Sequence, residues 1–290
     1  MKEKEGGNFM DFKKATEVPK VAIVDLVNNT FKDYSVPIDW TITSFEYDIR
    51  ENSISLEDSY IVFENDKPIG FSLVSIRGAR GRIDAFGFLK EYRLKGYGSE
   101  LLYYTMEKMK WKGISKVTLE VVDKEKNAIK FYKKHGFKEH RILESFIKYI
   151  EKRDEPKFNY VSTDYKCIHD RAVEALHYIG RKPNWQREPK TLELSRDRYQ
   201  MEKITKKGFT IGYVVWGTTK EGAFIVDVSP IIDPTLYDEI VLDLLNRFAD
   251  LNFKSVSIVS LPEDDPLHST LEKFEFNSFL RQIEMKKRIH

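Results

Sequence analysis

Hydrophobic residues recur with two different periods along the first half of the chain. In residues 17–32 they fall three or four positions apart, which is the spacing of one face of a helix. Elsewhere they form short β-branched and aromatic runs bounded by Gly, Asn or Asp, which predict strands. The predicted helices are residues 17–32, 98–111 and 127–135, and the predicted strands are a hairpin over residues 59–76, residues 82–89, residues 116–122 and a last strand after Phe137. Strands that alternate with helices indicate an α/β domain (an α+β mixed sheet) with helices covering the sheet.

Part of the same order returns in the second half. Strands are predicted over residues 206–217, 222–231, 255–261 and 276–287, and helices over residues 236–251 and 266–274. Phe137 and Phe276 are 139 residues apart, and the same offset aligns Val117 with Val256. An offset shared by several elements suggests an internal duplication.

The length of the chain fits two domains. A chain of 290 residues is long enough for two domains of roughly 130 to 150 residues each. The stretch at 151–158, EKRDEPKF, is charged and contains Pro156, so it is the predicted linker. We therefore expect one domain over residues 1–152 and a second over residues 158–290.

Charge and cysteine content argue against several classes of protein. The 48 basic and 46 acidic residues leave a net charge of +2 with no long block of one sign, whereas a nucleic-acid-binding protein carries a concentrated basic face. The single cysteine, Cys167, cannot form an internal disulfide, and no Cys/His cluster predicts a metal site. No apolar run has the length of a signal peptide or a membrane span. We expect a cytoplasmic protein with no metal, nucleic-acid or membrane partner.

The stretch YRLKGYGSELL (residues 92–102) separates the strand at 82–89 from the helix at 98–111. Gly96 and Gly98 allow positive φ angles and a close approach of the backbone to a ligand. A helix that begins directly after such a turn points its unpaired N–H groups into it, which favours an anion. The stretch therefore predicts a phosphate-binding turn.

Two blocks of sequence resemble the GCN5-related N-acetyltransferases, the GNAT superfamily. RLKGYG (93–98) matches the Arg/Gln-x-x-Gly-x-Gly/Ala signature of that family, and LEVVDKEKNAIKFYKKHGF (119–137) resembles its second conserved block. Lys90 stands where many members have proline, and Leu94 stands where many have glycine. The resemblance covers residues 8–150 well and the second half only as a degenerate copy, which implies two tandem GNAT-like domains.

The resemblance implies that acetyl-CoA is the co-substrate. Its pyrophosphate would lie on the N–H groups of residues 94–99, with added charge from Arg93 and Lys95. In the family, the strand before the turn splays from the next strand, and the pantetheine arm lies between them. The backbones of Phe86 and Phe88 would pair with that arm, and one N–H would polarise the thioester carbonyl. The expected cofactor-binding residues are Phe86, Phe88, Arg93, Leu94, Lys95, Gly96, Tyr97, Gly98, Ser99 and Asn127.

Acetyl transfer needs a base for the acceptor ammonium and an acid for the leaving thiolate. Glu120 and Tyr132 resemble the glutamate base and the tyrosine acid of the peptide N-terminal members of the family. A tyrosine with a pKa of about 10 is protonated at pH 7 and can donate to a thiolate. Asp84 is the alternative base. Each residue also has an ordinary structural explanation without a catalytic role. Glu120 would be a solvated glutamate on a strand, Tyr132 a tyrosine of the core, and Asp84 a hydrogen-bonded aspartate at a strand end.

Two further assignments have alternatives. Asn127 is either the N-cap of the helix at 127–135 or, as in family members, a contact of the pantetheine arm. The acceptor groove is expected in residues 33–49, which carry four aromatic and four acidic side chains. Aromatic faces and carboxylates suit a cationic amine, and a hydrophobic staple beneath a loop explains the same residues.

The second half lacks this chemistry. At the 139-residue offset, Glu120 aligns with Val259 and Tyr132 with Leu271, and residues 229–239 contain no Gly-x-Gly. The three carboxylates of that stretch would repel a pyrophosphate. We expect a catalytically inactive copy, which makes the chain a pseudo-dimer.

Together these residues predict an N-acetyltransferase that transfers the acetyl group of acetyl-CoA to a primary amine by direct attack in a ternary complex. The acceptor would be a small-molecule amine or a peptide N-terminus, and the chain a monomer or a homodimer. The bulk of Phe86 and Phe88 favours a short acyl group. The alternatives are an acetyl-CoA-binding sensor without turnover and an interaction scaffold in which both halves are inert.

Overall fold

The predicted helices and strands all form, and a computed structural model adds elements with weaker sequence patterns. The structure describes residues 10–151, 154–220 and 222–289. They divide into one unit made of residues up to 140 together with residues 284–289, and a second made of residues 141–283.

The first unit combines four helices with the strands of one sheet. The helices are α1 (Lys20–Phe31), α2 (Ile42–Asn52), α3 (Tyr97–Trp111) and α4 (Lys126–Lys134). The strands are β1 (Met10–Lys14), β2 (Tyr60–Glu64), β3 (Lys67–Arg77), β4 (Arg80–Phe88), β5 (Lys116–Val122) and the end of β12 (Asn277–Arg288). Their order is β1-β2-β3-β4-β5-β12. Neighbours from β1 to β4 are antiparallel, whereas β4 and β5 are parallel because α3 carries the chain back between them.

Alternating side chains give this sheet two apolar faces. Ile61 and Phe71 pack with Ile23 of α1 and Phe45 of α2 in one core cluster. Residues of the opposite parity, such as Val62, pack with Leu101 of α3 in another. The sheet is therefore covered by helices on both faces, as the strand–helix alternation predicts.

The second unit repeats this plan. Its helices are α5 (Tyr165–Ile179), α6 (Pro189–Leu194), α7 (Tyr237–Asp250) and α8 (Pro266–Lys273). Its strands are the larger part of β6 (Lys138–Tyr149), β7 (Asn159–Ser162), β8 (Gln200–Lys206), β9 (Phe209–Thr218), β10 (Ala223–Pro230), β11 (Ser255–Pro262) and the start of β12. β10 and β11 are parallel, like β4 and β5. The 139-residue offset holds across α7, β11, α8 and β12, each of which begins within a residue of its expected place.

Several elements lack a clear hydrophobic period and were not predicted. α2 buries only Phe45 and Glu51, and its start is fixed by Thr41, whose hydroxyl accepts from the N–H of Ser44. The buried positions of α5 include Ala172 and Ala175, which add little to an apolar stripe. β1, β7, α6 and β8 were likewise not predicted.

The compact units do not follow the predicted linker at residues 151–158. Residues 143–149 of β6 pair with β11 in the second unit, and residues 284–289 belong to the first. Strand pairing, rather than the composition of the linker, thus sets which residues pack together. Residues 152 and 153 of the predicted linker lie outside the described residues.

Candidate active site

The candidate site begins where β4 and β5 part. The two strands pair from Arg80↔Lys116 to Ile83↔Leu119, although β4 continues to Phe88 and β5 to Val122. Residues 84–88 therefore lack a strand partner on the β5 side. This opening is the splay that the family resemblance predicts.

The backbone of Phe88 faces this opening. On the other side of β4, the N–H of Leu89 donates to the carbonyl of Ile69, 2.9 Å away. Because backbone groups alternate along a strand, those of Phe88 and Phe86 point away from β3. Accordingly, the Phe88 carbonyl accepts from Nε of Arg93 at 3.0 Å.

The turn before α3 has two residues in the left-handed region. Gly96 is the N-cap of α3 with a φ of +91°, and Leu94 has a φ of +62° with its side chain fully exposed. The first N–H groups of a helix lack acceptors within it, so those that follow Gly96 are available to a ligand. Ser99 is the exception among the predicted donors, because its N–H bonds the Gly96 carbonyl at 3.0 Å.

The side chains of the turn are held by the protein itself. Arg93 binds both carboxylate oxygens of Asp33 at 3.1 Å and also the Thr30 carbonyl. The ammonium of Lys95 lies 5.1 Å from the ring centroid of Tyr92. Arg93 therefore ties the turn to the end of α1, and an anion in the turn would depend mainly on backbone N–H groups.

Aromatic side chains line the space beside the turn. A Cβ on Gly98 would lie 3.5 Å from the ring of Phe131 and 3.9 Å from that of Phe86. Phe86 and Phe131 stack with ring centroids 5.9 Å apart, and Tyr97 lies 6.1 Å from Phe88. The small residue at 98 thus leaves room that a larger side chain would fill. An opening with free backbone edges, a helix N-terminus at its mouth and apolar walls fits the pantetheine and pyrophosphate of acetyl-CoA.

Deeper in the sheet, Arg82 joins the two candidate bases. Its guanidinium lies 2.7 Å from Asp84 and 3.3 Å from Glu120, and all three side chains are 7% exposed. The hydroxyl of Ser75 donates to the second oxygen of Asp84. Glu120 is therefore not the solvated strand glutamate of its ordinary structural explanation, whereas the bond from Ser75 agrees with that of Asp84, a hydrogen-bonded aspartate on the strand.

Asp84 sits in a β-bulge. Leu73 pairs with Ala85 and Val74 with Ile83, so that no residue of β3 lies opposite Asp84 in the strand register. The pKa of the Asp84 carboxyl is raised to about 6, chiefly by burial; Arg82 and Ser75 oppose the rise, and the carboxylates of Glu120 and Asp48 add to it. A buried carboxyl with a pKa near neutrality suits proton transfer.

Tyr132 lies in an apolar shell. Its ring packs against Phe86 and Phe137 at centroid distances of 6.3 and 5.7 Å. Burial, with a smaller effect from Tyr34, raises the pKa of its hydroxyl well above the usual value. The hydroxyl is therefore protonated at neutral pH and able to donate.

The segment at 33–49 has two interpretations, an acceptor groove or a hydrophobic staple beneath a loop, and different residues of it fit each interpretation. Trp40 stacks on the fully buried Phe45 with centroids 4.9 Å apart, which is the hydrophobic staple. Asp48 instead acts electrostatically on Asp84 and Arg82, which places its charge near the candidate site. The same segment is linked to the start of α4, because the N–H of Ser35 donates to Glu125 at 3.1 Å.

The capping interpretation of Asn127 is wrong. The N-cap of α4 is Glu125, and Asn127 is an exposed residue one position inside the helix. Its contact with the pantetheine arm stays a prediction.

Sequence reasoning missed three residues of the cluster: Arg82, Ser75 and Glu284. Arg82 and Asp84 alternate along β4, so their shared face was a usable signal. Glu284 lies in the part of β12 that belongs to the first unit and acts electrostatically on Arg82. No local pattern could have placed a residue so far along the chain.

The second unit has a different set of groups at the matching positions. The bulge of β10 falls at Val226, since Ile225 pairs with Trp216 and Asp227 with Val215. Val226 thus replaces Asp84, as Val259 and Leu271 replace Glu120 and Tyr132 by the sequence offset.

A buried ionic network lies beside this bulge. Arg181 binds Asp227 at 2.9 Å and Asp265 at 3.0 Å, and Tyr213 donates to Asp227 at 2.6 Å. The side chains of Arg181, Asp227 and Asp265 are at most 2% exposed, and Tyr213 is fully buried. The network thus fixes the interior of this unit.

Neither a membrane span nor a metal cluster is found in the part of the chain that the structure describes. None of its helices is long and apolar enough to cross a membrane. No group of three or more His, Cys, Asp or Glu side chains there is arranged to hold a metal ion.

Comparison with known proteins agrees with this architecture. Residues 22–137 match the model of the acetyltransferase (GNAT) family. No curated protein matches the chain. A GCN5-related N-acetyltransferase from Sphaerobacter thermophilus has 14% sequence identity and a TM-score of 0.69, over 96% of this chain and 95% of that one. A tandem GNAT protein from the clavulanic acid biosynthesis pathway has 13% identity and a TM-score of 0.66, over 97% and 98% of the two chains.

The family match includes the turn at 93–98 and the block at 119–137, and the structural matches extend over both halves of the chain. The fold class predicted from the sequence is confirmed. Residues 22–137 are thus similar to the GNAT acetyltransferase family, and the chain as a whole shares its fold with proteins that include a tandem GNAT protein.

Proposed function

We propose that the first unit is an acetyl-CoA-dependent N-acetyltransferase that transfers the acetyl group to a primary amine by direct attack in a ternary complex. The observation that carries the proposal is the opening between β4 and β5, with the Gly96 turn at its mouth and the Arg82 cluster within the sheet. The match of residues 22–137 to the acetyltransferase (GNAT) family model supports acyl transfer in general. The acetyl group, the acceptor and the roles of residues are the proposal.

The cofactor would bind through backbone groups. The N–H groups after Gly96 would hold the pyrophosphate, and the free edge at Phe86 and Phe88 would pair with the pantetheine arm. An N–H of that edge would polarise the thioester carbonyl, an effect worth about 3 kcal/mol for one donor. When bound, acetyl-CoA supplies the activated acyl group.

Proton transfer would use the buried carboxylates and Tyr132. Before attack, the acceptor ammonium gives a proton to a carboxylate, which we assign to Glu120 with Asp84 as the alternative. The amine nitrogen would then bond the acyl carbon as the carbon–sulfur bond breaks, and the thiolate would take the hydroxyl proton of Tyr132. The second proton that the nitrogen loses on becoming an amide would return to the Tyr132 phenolate, so that the tyrosine is restored. Each proton transfer contributes about 10²-fold or more to the rate.

The acceptor would be a cationic small-molecule amine or a peptide N-terminus. Asp48 places a negative charge close to the cluster, which favours an ammonium there. We propose a cytoplasmic protein that acts as a monomer with an internal pseudo-dimer, or as a homodimer.

The first experiment is an isothermal titration with acetyl-CoA. We expect one site per chain, lost in Gly98→Trp because the indole would occupy the space beside Phe131 and Phe86. Tyr103→Trp is the matched control, since Tyr103 is an exposed residue of the same helix. Two sites per chain would show that the second unit is not degenerate, and no binding would overturn the proposal.

Measurements of turnover test two points. They distinguish an enzyme from an acetyl-CoA-binding sensor, and they show whether Glu120 or Asp84 is the base. Thiol release from acetyl-CoA is measured against a panel of primary amines for the wild type, Glu120→Gln and Asp84→Asn. Loss of turnover with unchanged acetyl-CoA affinity in one variant assigns the base. Binding without turnover with any amine would support the alternative, an acetyl-CoA sensor.

A further inference from the structure

A cavity of about 590 Å³ opens in the first unit at residues that the candidate active site does not use. Six of its lining residues are basic: Lys116, Lys138, His140, Lys286, Lys287 and Arg288. We call this cavity the basic pocket. It is formed where the start of β5, the start of β6 and the end of β12 come together.

The basic pocket lies at the far end of the sheet from the cofactor turn. Lys116 is the first residue of β5 and pairs with Arg80, the first residue of β4. The turn follows Phe88, eight residues along β4, which corresponds to roughly 25 Å of extended strand. The end of β12 is held beside Lys116, because the N–H of Ile289 donates to the carbonyl of Ser115 at 2.9 Å.

Two carboxylates, those of Glu139 and Glu284, lie near these six side chains, and Glu284 contacts both Lys286 and His140, whose Nε2 is 3.9 Å from it. The one acidic lining residue, Glu139, forms its ion pair with Lys133 at 2.7 Å. Lys286 binds Glu284 at 3.1 Å, and the ammonium of Lys287 lies 5.9 Å from the ring centroid of Phe137.

Three of the cations are left without partners. Among residues 10–151, 154–220 and 222–289, Lys116, Lys138 and Arg288 have no ion pair or hydrogen bond from their side chains. Like charges that converge on one cavity repel each other, so an anion bound there would lower the free energy of the folded state.

We propose that the basic pocket binds a small polyphosphate-like anion. Lysine ammonium groups bind phosphate oxygens as point charges, and an arginine adds paired N–H donors. The volume lies within the range of small-molecule sites. A small ligand fits better than a nucleic acid because the chain as a whole carries a net charge of only +2.

Inorganic tripolyphosphate is the probe. Isothermal titration of the full chain is run in 0.15 M salt with saturating acetyl-CoA, so that the turn at Gly96 is not available to the probe. We expect one site, weakened at least tenfold in the triple variant Lys116→Gln/Lys138→Gln/Arg288→Gln. The control Lys166→Gln/Lys207→Gln/Lys254→Gln loses the same charge from three exposed lysines of the second unit and should bind as the wild type does.

Thermal melting gives a second, independent measurement. Tripolyphosphate should raise the Tm of the wild type and of the control, and leave the Tm of the pocket variant unchanged. Without anion and at low salt, the pocket variant should melt at or above the wild-type Tm, because repulsion is relieved.

Three outcomes would overturn the proposal. Equal weakening by both triple variants would mean a diffuse charge effect, and the absence of tripolyphosphate binding would mean no anion site. Binding of a short single-stranded RNA in place of tripolyphosphate, lost in the pocket variant, would assign the surface to nucleic acid. None of these outcomes depends on whether the chain turns over acetyl-CoA.

Discussion

The guanidinium of Arg82 binds the carboxylate of Asp84 at 2.7 Å, with both side chains 7% exposed. Glu120 lies 3.3 Å from the other terminal nitrogen of the same guanidinium. One buried cation therefore faces two buried carboxylates, which leaves one unit of negative charge when both are ionised. The position of a proton in this cluster depends on all three groups.

Removal of Arg82 should destabilise the fold strongly. Arg82→Met leaves two buried carboxylates without their cation, which costs about 3 to 5 kcal/mol of unfolding free energy. Lys20→Met is the control, since it breaks an ion pair with Glu46 whose side chains are 44% and 52% exposed, and it should cost less than about 1 kcal/mol. Urea denaturation measures both, and losses of equal size would contradict a buried cluster.

The contribution of Asp84 to the unfolding free energy should fall as the pH rises. Its pKa of about 6 in the folded state lies above the unfolded value of about 3.9. The folded state thus holds the Asp84 proton more tightly than the unfolded state does. The resulting contribution to the unfolding free energy is complete below about pH 4 and is lost as the pH rises through about 6. The unfolding free energy of the wild type, minus that of Asp84→Asn, should fall by up to about 3 kcal/mol over this range. A difference that rises with pH would show that the pKa is lowered instead.

Two glycines of the turn before α3 should respond in opposite ways to substitution by alanine. Gly96 has a φ of +91°, so Gly96→Ala should cost about 1 to 2 kcal/mol of unfolding free energy. Gly98 is helical, and its new Cβ would make only ordinary contacts at 3.5 Å, so Gly98→Ala should be neutral or stabilising by up to about 1 kcal/mol. Chemical denaturation compares the two variants. Equal destabilisation would contradict the geometry of the turn.

Tyr132→Phe should separate chemistry from packing. The phenyl ring keeps the contacts with Phe86 and Phe137, so acetyl-CoA affinity should stay within twofold of the wild type. The rate of thiol release at saturating acetyl-CoA should fall at least 10²-fold, because the leaving thiolate loses its proton donor. Tyr103→Phe, at an exposed position of α3, is the control. Unchanged turnover in Tyr132→Phe would remove Tyr132 from the mechanism.

Much of the sheet was predictable because its strands carry strong local patterns. β5 was predicted residue for residue, and the Asn65–Asp66 turn between β2 and β3 has both residues at positive φ, as hairpin chemistry requires. α2 was missed because an amphipathic period is weak when only Phe45 and Glu51 are buried. Secondary structure follows from sequence only where the apolar face is continuous.

In the candidate site, too, some residues could be predicted from local sequence patterns and others could not. The turn at Gly96, and Glu120 and Tyr132 as candidate residues, could be read from the chain because each lies in a short motif. The partner that Glu120 and Asp84 share could not, since Arg82 meets Glu120 only through the parallel pairing of β4 with β5. A carboxylate predicted as a free base is, in the folded chain, part of a buried ionic cluster.

By itself, the sequence determined the alternation of strands and helices, the 139-residue repeat of that alternation, the resemblance to the GNAT family and the glycine turn before α3, because each depends on short local patterns along the chain. Only the tertiary structure decided which residues make up each unit, that Glu284 acts on Arg82, and that Lys116, Lys138 and Arg288 line one pocket. These relationships join residues more than 100 positions apart. Charge and burial act through space, and the distances between such residues are set by strand pairing rather than by their order in the chain.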